Sequence, residues 1–284
     1  MVTRRAPVRT PAFHAGQLVT GTIRCWIAGL VPTTVLSVLF YVPLLALAYL
    51  MFAEVNLRDL AYESARSLNS KLRWWALLRV GGAVLCGAAA IAAITYGVVE
   101  RLRGRRAGVG SSLSATARRL GTVLVTAIVL ALMTLVLVIV FGIVAGLFVA
   151  TTGTEPGIFA LVVTALALGG VFVLLVSRYL VAIPVALLEP VGPVRAIGVS
   201  SRLTTGSRGA IALATLVFLA LGWALNRFLV GRLVDGLLLT VLLDVGITAV
   251  LTTPLVASAA AFAYQRLKLH KDGIDLLDAA KVFE

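Results

Sequence analysis

Few residues in this chain are of a type that does chemistry, and they are scattered. The two histidines, His14 and His270, lie at opposite ends of the sequence, and neither sits in a carboxylate–histidine arrangement that reads as a base or a metal site. The two cysteines, Cys25 and Cys86, lack the paired spacing of a zinc site. They also fall at different depths along the chain's apolar stretches, so no disulfide is expected. No glycine-rich phosphate loop precedes a helix. Serines and threonines are abundant, but a Ser–His–Asp triad cannot be built from two terminal histidines. The residues therefore point to no catalytic group, no metal ligand and no cofactor, and an enzyme is not expected.

Four charged positions say more. Arg178 and Asp244 each lie inside a long apolar stretch. A charge at depth in hydrocarbon is expensive, so such a residue marks a functional site by default. Arg178 comes late in its stretch, where a long side chain can snorkel to the interface. Asp244 comes early in its own, so the two are not expected to pair, and Arg227 or Arg232 is a nearer partner for Asp244. A structural ion pair and a place on a transport path are the two readings. Glu100 and Glu189 end the second and fourth apolar stretches. Each is in reach of arginines in the segment that follows, Glu189 of Arg195 or Arg202, and such a pair would lock an elbow to a span.

The elements that must position these residues are long. Apolar stretches cover residues 26–53, 76–99, 121–150, 158–188, 210–230 and 236–264 of the 284. The chain is 60% hydrophobic and 13% charged, with a mean hydropathy of +1.04. Soluble domains are about half apolar and about a quarter charged. Each stretch can cross a hydrocarbon core, which takes about 20 helical residues. Barrel strands would alternate in polarity over about 10 residues, and runs such as 124–149 do not alternate. The expected fold is all-α: a polytopic membrane protein with six transmembrane helices. No interval is long enough for a separate soluble domain. One transmembrane domain is expected, with a cytoplasmic tail and leader at 1–25, a six-span bundle at 26–264 and a cytoplasmic tail at 265–284.

The net charge of +13 would suggest nucleic-acid binding in a soluble protein, but here the cations cluster at alternate span ends, as the positive-inside rule requires. Arg4, Arg5, Arg9 and Arg24 precede the first span; six arginines from Arg101 to Arg119 lie between the second and third; Arg195, Arg202 and Arg208 follow the fourth. Both termini are placed on the cytoplasmic side of a cell inner membrane, and no nucleic-acid partner is expected.

Three short basic segments, at 11–23, 108–120 and 193–206, each lead into a pair of apolar stretches, and they align on Arg24, Arg118 and Arg202. This reads as a pseudo-threefold repeat with three interfacial amphipathic helices. In the second, Val109, Leu113, Ala117 and Leu120 form an apolar stripe, and Ser111, Ser112, Ser114, Arg118 and Arg119 take the other face. Such a helix lies in the headgroup layer with its arginines toward anionic phosphates. It either senses headgroups or a partner, or serves as an elbow that orients the next span. Arg24, Arg118, Arg119, Arg195 and Arg202 are the candidate contacts. Gly82 with Cys86, Gly142 with Gly146, Ala165 with Gly169, and the run 257–261 are small enough to let helices approach; Gly142-x-x-x-Gly146 is expected to pack internal helices. Pro43, Pro184 and Pro254 should kink their spans. Trp74, Trp75, Trp223 and Tyr264 are placed as interfacial anchors.

Glu189-Pro-Val-Gly192-Pro193, followed by Ala196, Ser200, Leu203 and Gly206, resembles the E-G-x-G-P-x-x-A-x-x-x-S-x-x-L-x-x-G element of a known family. That family comprises the membrane domains of glycerophosphoryl diester phosphodiesterases and related stand-alone bacterial membrane proteins. The segment from Tyr264 through Lys268 and Asp272-Gly273 to Asp275 is similar to the family's terminal Y-x-x-L-R-x-R-x-E-G-x-D motif. Pro190 stands where that pattern has glycine, and Lys268 and His270 where it has arginine. The resemblance implies a multi-span membrane domain. It does not carry the phosphodiesterase activity, whose separate barrel uses acidic metal ligands and histidines and is not expected in a chain with two histidines and no interval long enough for it. The expected role is non-enzymatic: a scaffold, or an organiser of anionic lipid or of a partner protein, including a second copy of this chain. The alternative is a transporter or channel-like protein for a small or lipidic solute.

Overall fold

A computed structural model describes residues 14–52, 65–105, 107–152, 157–233 and 237–271. These form helices joined by short turns, with no strand among the described residues. The helices are α1 (Ala15–Ala28), α2 (Leu30–Phe52), α3 (Ala65–Leu102), α4 (Val109–Thr152), α5 (Gly157–Tyr179), α6 (Ala182–Leu188), α7 (Pro193–Leu203), α8 (Arg208–Leu233), α9 (Leu237–Ile247) and α10 (Thr253–Lys271). A single π-helical turn, Thr248–Thr252, joins the last two. Among the described residues five segments are long and apolar enough to cross a membrane, and α7 with α8, bent by 103°, makes a sixth if counted as one span.

Two of the three prolines expected to kink their spans sit at a break in the regular helix. A proline ring crowds the carbonyl four residues back. Pro184 faces Leu180, and the chain breaks there between α5 and α6. Pro254 faces Val250, inside the π turn that widens the helix to take it. Around Pro43 α2 stays helical.

Small residues set the core. Ala257 and Ala259–Ala261 of α10 are buried, as are Ala88–Ala90, Ala92 and Ala93 of α3. With no bulk between them the two backbones come close, and dispersion contacts hold what no hydrophobic drive between lipid-solvated helices would. Ala93, Ala257 and Ala261 belong with Leu18, Ile94, Val99, Val185, Ile211 and Leu267 to one cluster that joins α1, α3, α6, α8 and α10. Gly82 receives Leu44 of α2, 2.7 Å from where its Cβ would lie. Gly21 of α1 lies flat against the Phe262 ring of α10. Tyr41 of α2 and Thr253 share a buried hydroxyl–hydroxyl hydrogen bond of 3.1 Å.

Several expectations change. Gly142 and Gly146 are exposed, and a Cβ on either meets no heavy atom within 4 Å. Among the described residues the pair packs no internal helix. Trp74 is exposed, but Trp75 is buried against Tyr41 and Leu44. Tyr264 is fully buried, so it is a core residue and not an anchor. The Trp223 and Ala165 side chains lie outside the described residues.

The second leader is not a separate elbow: α4 runs unbroken from Val109 to Thr152. Its inward face also differs from the expected stripe. Ser112 and Thr116 are buried while Ala117 is exposed. Each hydroxyl donates to the carbonyl four residues back, Ser112 to Gly108 at 3.2 Å and Thr116 to Ser112 at 2.9 Å. Satisfied in this way, a small polar side chain packs as tightly as alanine, and Ser112 lies 3.1 Å from the Cβ position of Gly97 on α3.

Candidate functional site

The polar groups gather where helices end. The first gathering is built on Glu189. Pro190 and Pro193 keep the chain extended after α6, so Glu189 caps that helix in an extended conformation. Gly192 and Pro193 then occupy the N-cap and first position of α7, where proline's missing N–H costs nothing. The Glu189 carboxylate turns to α10: the Tyr264 hydroxyl donates to Oε1 at 3.1 Å, and Lys268 Nζ stands 3.4 Å from the same oxygen. Lys268 also donates to the Tyr264 oxygen at 3.1 Å. From α4, Arg119 donates to the Glu189 carbonyl at 3.1 Å. One residue thus ties three helices together. Its carboxylate partners are Tyr264 and Lys268, not Arg195 or Arg202.

The two sequence elements that carry the family resemblance therefore meet in space, and their residues have structural work. Ala196 and Ser200 are buried, and Leu203 packs on the core cluster. Ser200 and Thr204 both donate to the Arg178 carbonyl, at 3.1 and 3.2 Å, closing the exposed end of α5. Gly206 takes φ +94° in the turn before α8, a conformation that disfavours any side chain. Asp272, Gly273 and Asp275 lie outside the described residues.

A second gathering holds Glu100, nearly buried at the end of α3. Arg103 meets it at 3.0 Å and Arg105 at 3.5 Å, both from the turn that follows rather than from a leader. Arg101 reaches across Gly29 to the Ala28 carbonyl at 3.5 Å. Lys271 donates to the Arg202 carbonyl.

The two charges within apolar stretches have separate partners. Asp244 of α9 pairs with Arg79 of α3 at 2.5 Å. The side chains of Arg227 and Arg232 lie outside the described residues. Arg79 lies in the stretch 76–99 and was as visible in sequence as Arg178, yet it went unremarked. Arg178 donates from Nε to the Ser201 hydroxyl at 2.7 Å.

Of the leader arginines, Arg24, Arg118, Arg195 and Arg202 are exposed, and none meets a carboxylate among the described residues; Arg119 is half-buried. Cys25, beside Arg24, is half-buried; burial pushes its thiol above the ordinary range, and Arg266 pulls it partway back. Among the described residues no three His, Cys, Asp or Glu side chains converge as metal ligands do.

A cavity of about 340 Å³ lies between α1, α5, α8 and α10. Its walls are almost wholly apolar, from Trp26, Phe172, Phe218 and Leu255 among others. None of the described residues that line it is charged, a lining suited to hydrocarbon. Comparison of the chain with protein-family models, with curated proteins and with solved structures returned no match.

Proposed function

We propose that this chain is a non-enzymatic, six-span protein of a cell inner membrane that organises anionic lipid at its cytoplasmic face, with both termini on that side. The observation that carries this reading is an imbalance of charge. The acids at the inner helix ends are already engaged, Glu100 by Arg103 and Arg105 and Glu189 by Lys268 and Tyr264. Arg24, Arg118, Arg195 and Arg202 are left exposed without a carboxylate among the described residues. Exposed guanidiniums at a membrane surface attract anionic headgroups, each by about 1 kcal/mol. The meeting of the two motif segments at Glu189 supports kinship with the phosphodiesterase-associated membrane domains. The same arginines would equally serve an acidic partner protein.

The test is the lipid that stays with the protein. Purified from membranes, the wild-type chain carries anionic lipid in excess of its share of the bilayer. The variant Arg24→Gln/Arg118→Gln/Arg195→Gln/Arg202→Gln loses that excess. A wild-type protein with no headgroup preference and no co-purifying partner removes the reading.

The apolar cavity favours a second function, movement of a lipidic solute, over passage of a polar one. Vesicles containing the protein and a headgroup-labelled lipid distinguish the two. An organiser leaves transbilayer exchange at the protein-free rate, and a carrier accelerates it.

A further inference from the structure

We propose that Arg178 and Arg208, drawn together on Ser201, hold the phosphate of one anionic phospholipid whose acyl chain enters the apolar cavity. This rests on the lipid-organising reading and names a separate site within it, since neither arginine belongs to the exposed set that reading uses.

The first observation is two cations sharing one hydroxyl. Arg178, one residue from the end of α5, donates from Nε to Ser201 Oγ at 2.7 Å. Arg208, the first residue of α8, donates from Nη2 to the Ser201 carbonyl at 3.0 Å and stands 3.4 Å from both Ser201 Oγ and Thr205 Oγ1. Both side chains are exposed, and neither meets a carboxylate among the described residues. Like charges held this close repel unless an anion lies between them. Among the described residues the Arg178 side chain donates only from Nε, which leaves the outer fork of the guanidinium, Nη1 and Nη2, open. That fork matches two phosphate oxygens. The Tyr179 ring, 5.4 Å from the Arg178 guanidinium carbon, limits where it can swing.

The second observation is the position of the cavity. Arg208, Thr215 and Gly222 repeat at seven-residue spacing on one face of α8, and Thr215 and Gly222 both line the cavity. Seven residues of helix rise about 10 Å, the distance from a lipid phosphate to the upper part of its chains. Just past the end of α5, Leu180, two positions after Arg178, lines the same cavity. A phosphate between the two arginines thus places hydrocarbon at the cavity mouth. A free phosphate would satisfy the arginines and leave the cavity unused, so the site is committed to a lipid.

Native mass spectrometry on the delipidated full-length protein, with phosphatidylglycerol or phosphatidylcholine added back, tests this. The wild type takes up one phosphatidylglycerol more tightly than the rest, and inorganic phosphate does not displace it. Arg178→Gln/Arg208→Gln weakens that one binding step by about tenfold or more, as loss of a charge-assisted contact should. Gly222→Leu weakens it from the other end. A Cβ at Gly222 meets no heavy atom within 4 Å, so the added side chain starts in open space beside the cavity that Gly222 lines. Wild-type affinity in either variant overturns the proposal, as does displacement by phosphate alone. A wild type that shows general anionic enrichment but no single tight step sinks this site and spares the broader reading. A wild type with no headgroup preference at all sinks both.

Discussion

Replacing Glu189 by glutamine tests whether one capping residue holds α4, α6 and α10 together. Glutamine keeps the shape and the backbone carbonyl, so the bond from Arg119 survives. What goes is the carboxylate that accepts from Tyr264 at 3.1 Å and faces Lys268 at 3.4 Å. The Tyr264 hydroxyl is fully buried, and a hydrogen bond from such a group to an ion is worth about 1.5–3 kcal/mol. The Lys268 side chain is 37% exposed, so its ion pair is discounted to about 0–1 kcal/mol. The expected loss is about 2–3 kcal/mol, which by the scaling of soluble chains lowers the melting temperature by about 4–12 °C. Thermal unfolding in detergent measures it. A double-mutant cycle then assigns it: Glu189→Gln with Tyr264→Phe should show coupling of about 1–2 kcal/mol. Glu189→Gln with Arg119→Gln should be additive, because that contact goes to the backbone. A Glu189→Gln protein that melts with the wild type refutes the reasoning, and so does strong coupling to Arg119 with none to Tyr264.

Three further outcomes follow from the geometry. Asp244→Asn leaves Arg79 charged beside hydrocarbon and should cost about 1–2 kcal/mol, less than the mid-bilayer figure because Arg79 lies near its helix's tryptophans; adding Arg79→Gln should restore part of it, and unfolding of the two single variants and the double shows whether it does. Gly21→Ala forces a methyl into the Phe262 ring and should destabilise by about 1–3 kcal/mol, whereas Gly142→Ala, which meets nothing within 4 Å, should melt with the wild type. In a Cys86→Ala background, Cys25 should react slowly with alkylating reagents at neutral pH and speed up only above the ordinary thiol range, because burial favours the neutral form. Arg266→Gln should slow it further, since the positive charge that favours the thiolate is gone; a faster reaction in that variant would reverse the sign and the argument with it.

Helix length and helix type were legible because they depend on local composition. An apolar run of the right length admits no other backbone in hydrocarbon, and the structure places a helix of spanning length on each of five such runs. Break points were legible too, since Pro184 and Pro254 act on the carbonyl four residues back whatever surrounds them. The leader of α4 was misread because Ser112 and Thr116 count as polar in any periodicity. Their hydroxyls are satisfied by their own helix, and what remains is a small residue suited to face Gly97. Binary patterning cannot separate a serine that seeks water from one that has no need of it.

Partner choice was the least legible part, and for a different reason. Glu189 was matched to Arg195 and Arg202 because they are near in sequence, but Pro193 starts a helix that carries both of them onto its exposed face. Tyr264 and Lys268 come one turn apart on α10 and present a hydroxyl and an ammonium to the same oxygen. The only sequence sign of this was that Glu189 and Tyr264 each begin a motif. The remaining charges separate by what they lack. Glu100, Glu189 and Asp244 have bases beside them, and so are explained by the fold. Arg178 and Arg208 meet each other over a serine, an arrangement that no stability argument favours, and it is there that a ligand's charge has a place to act.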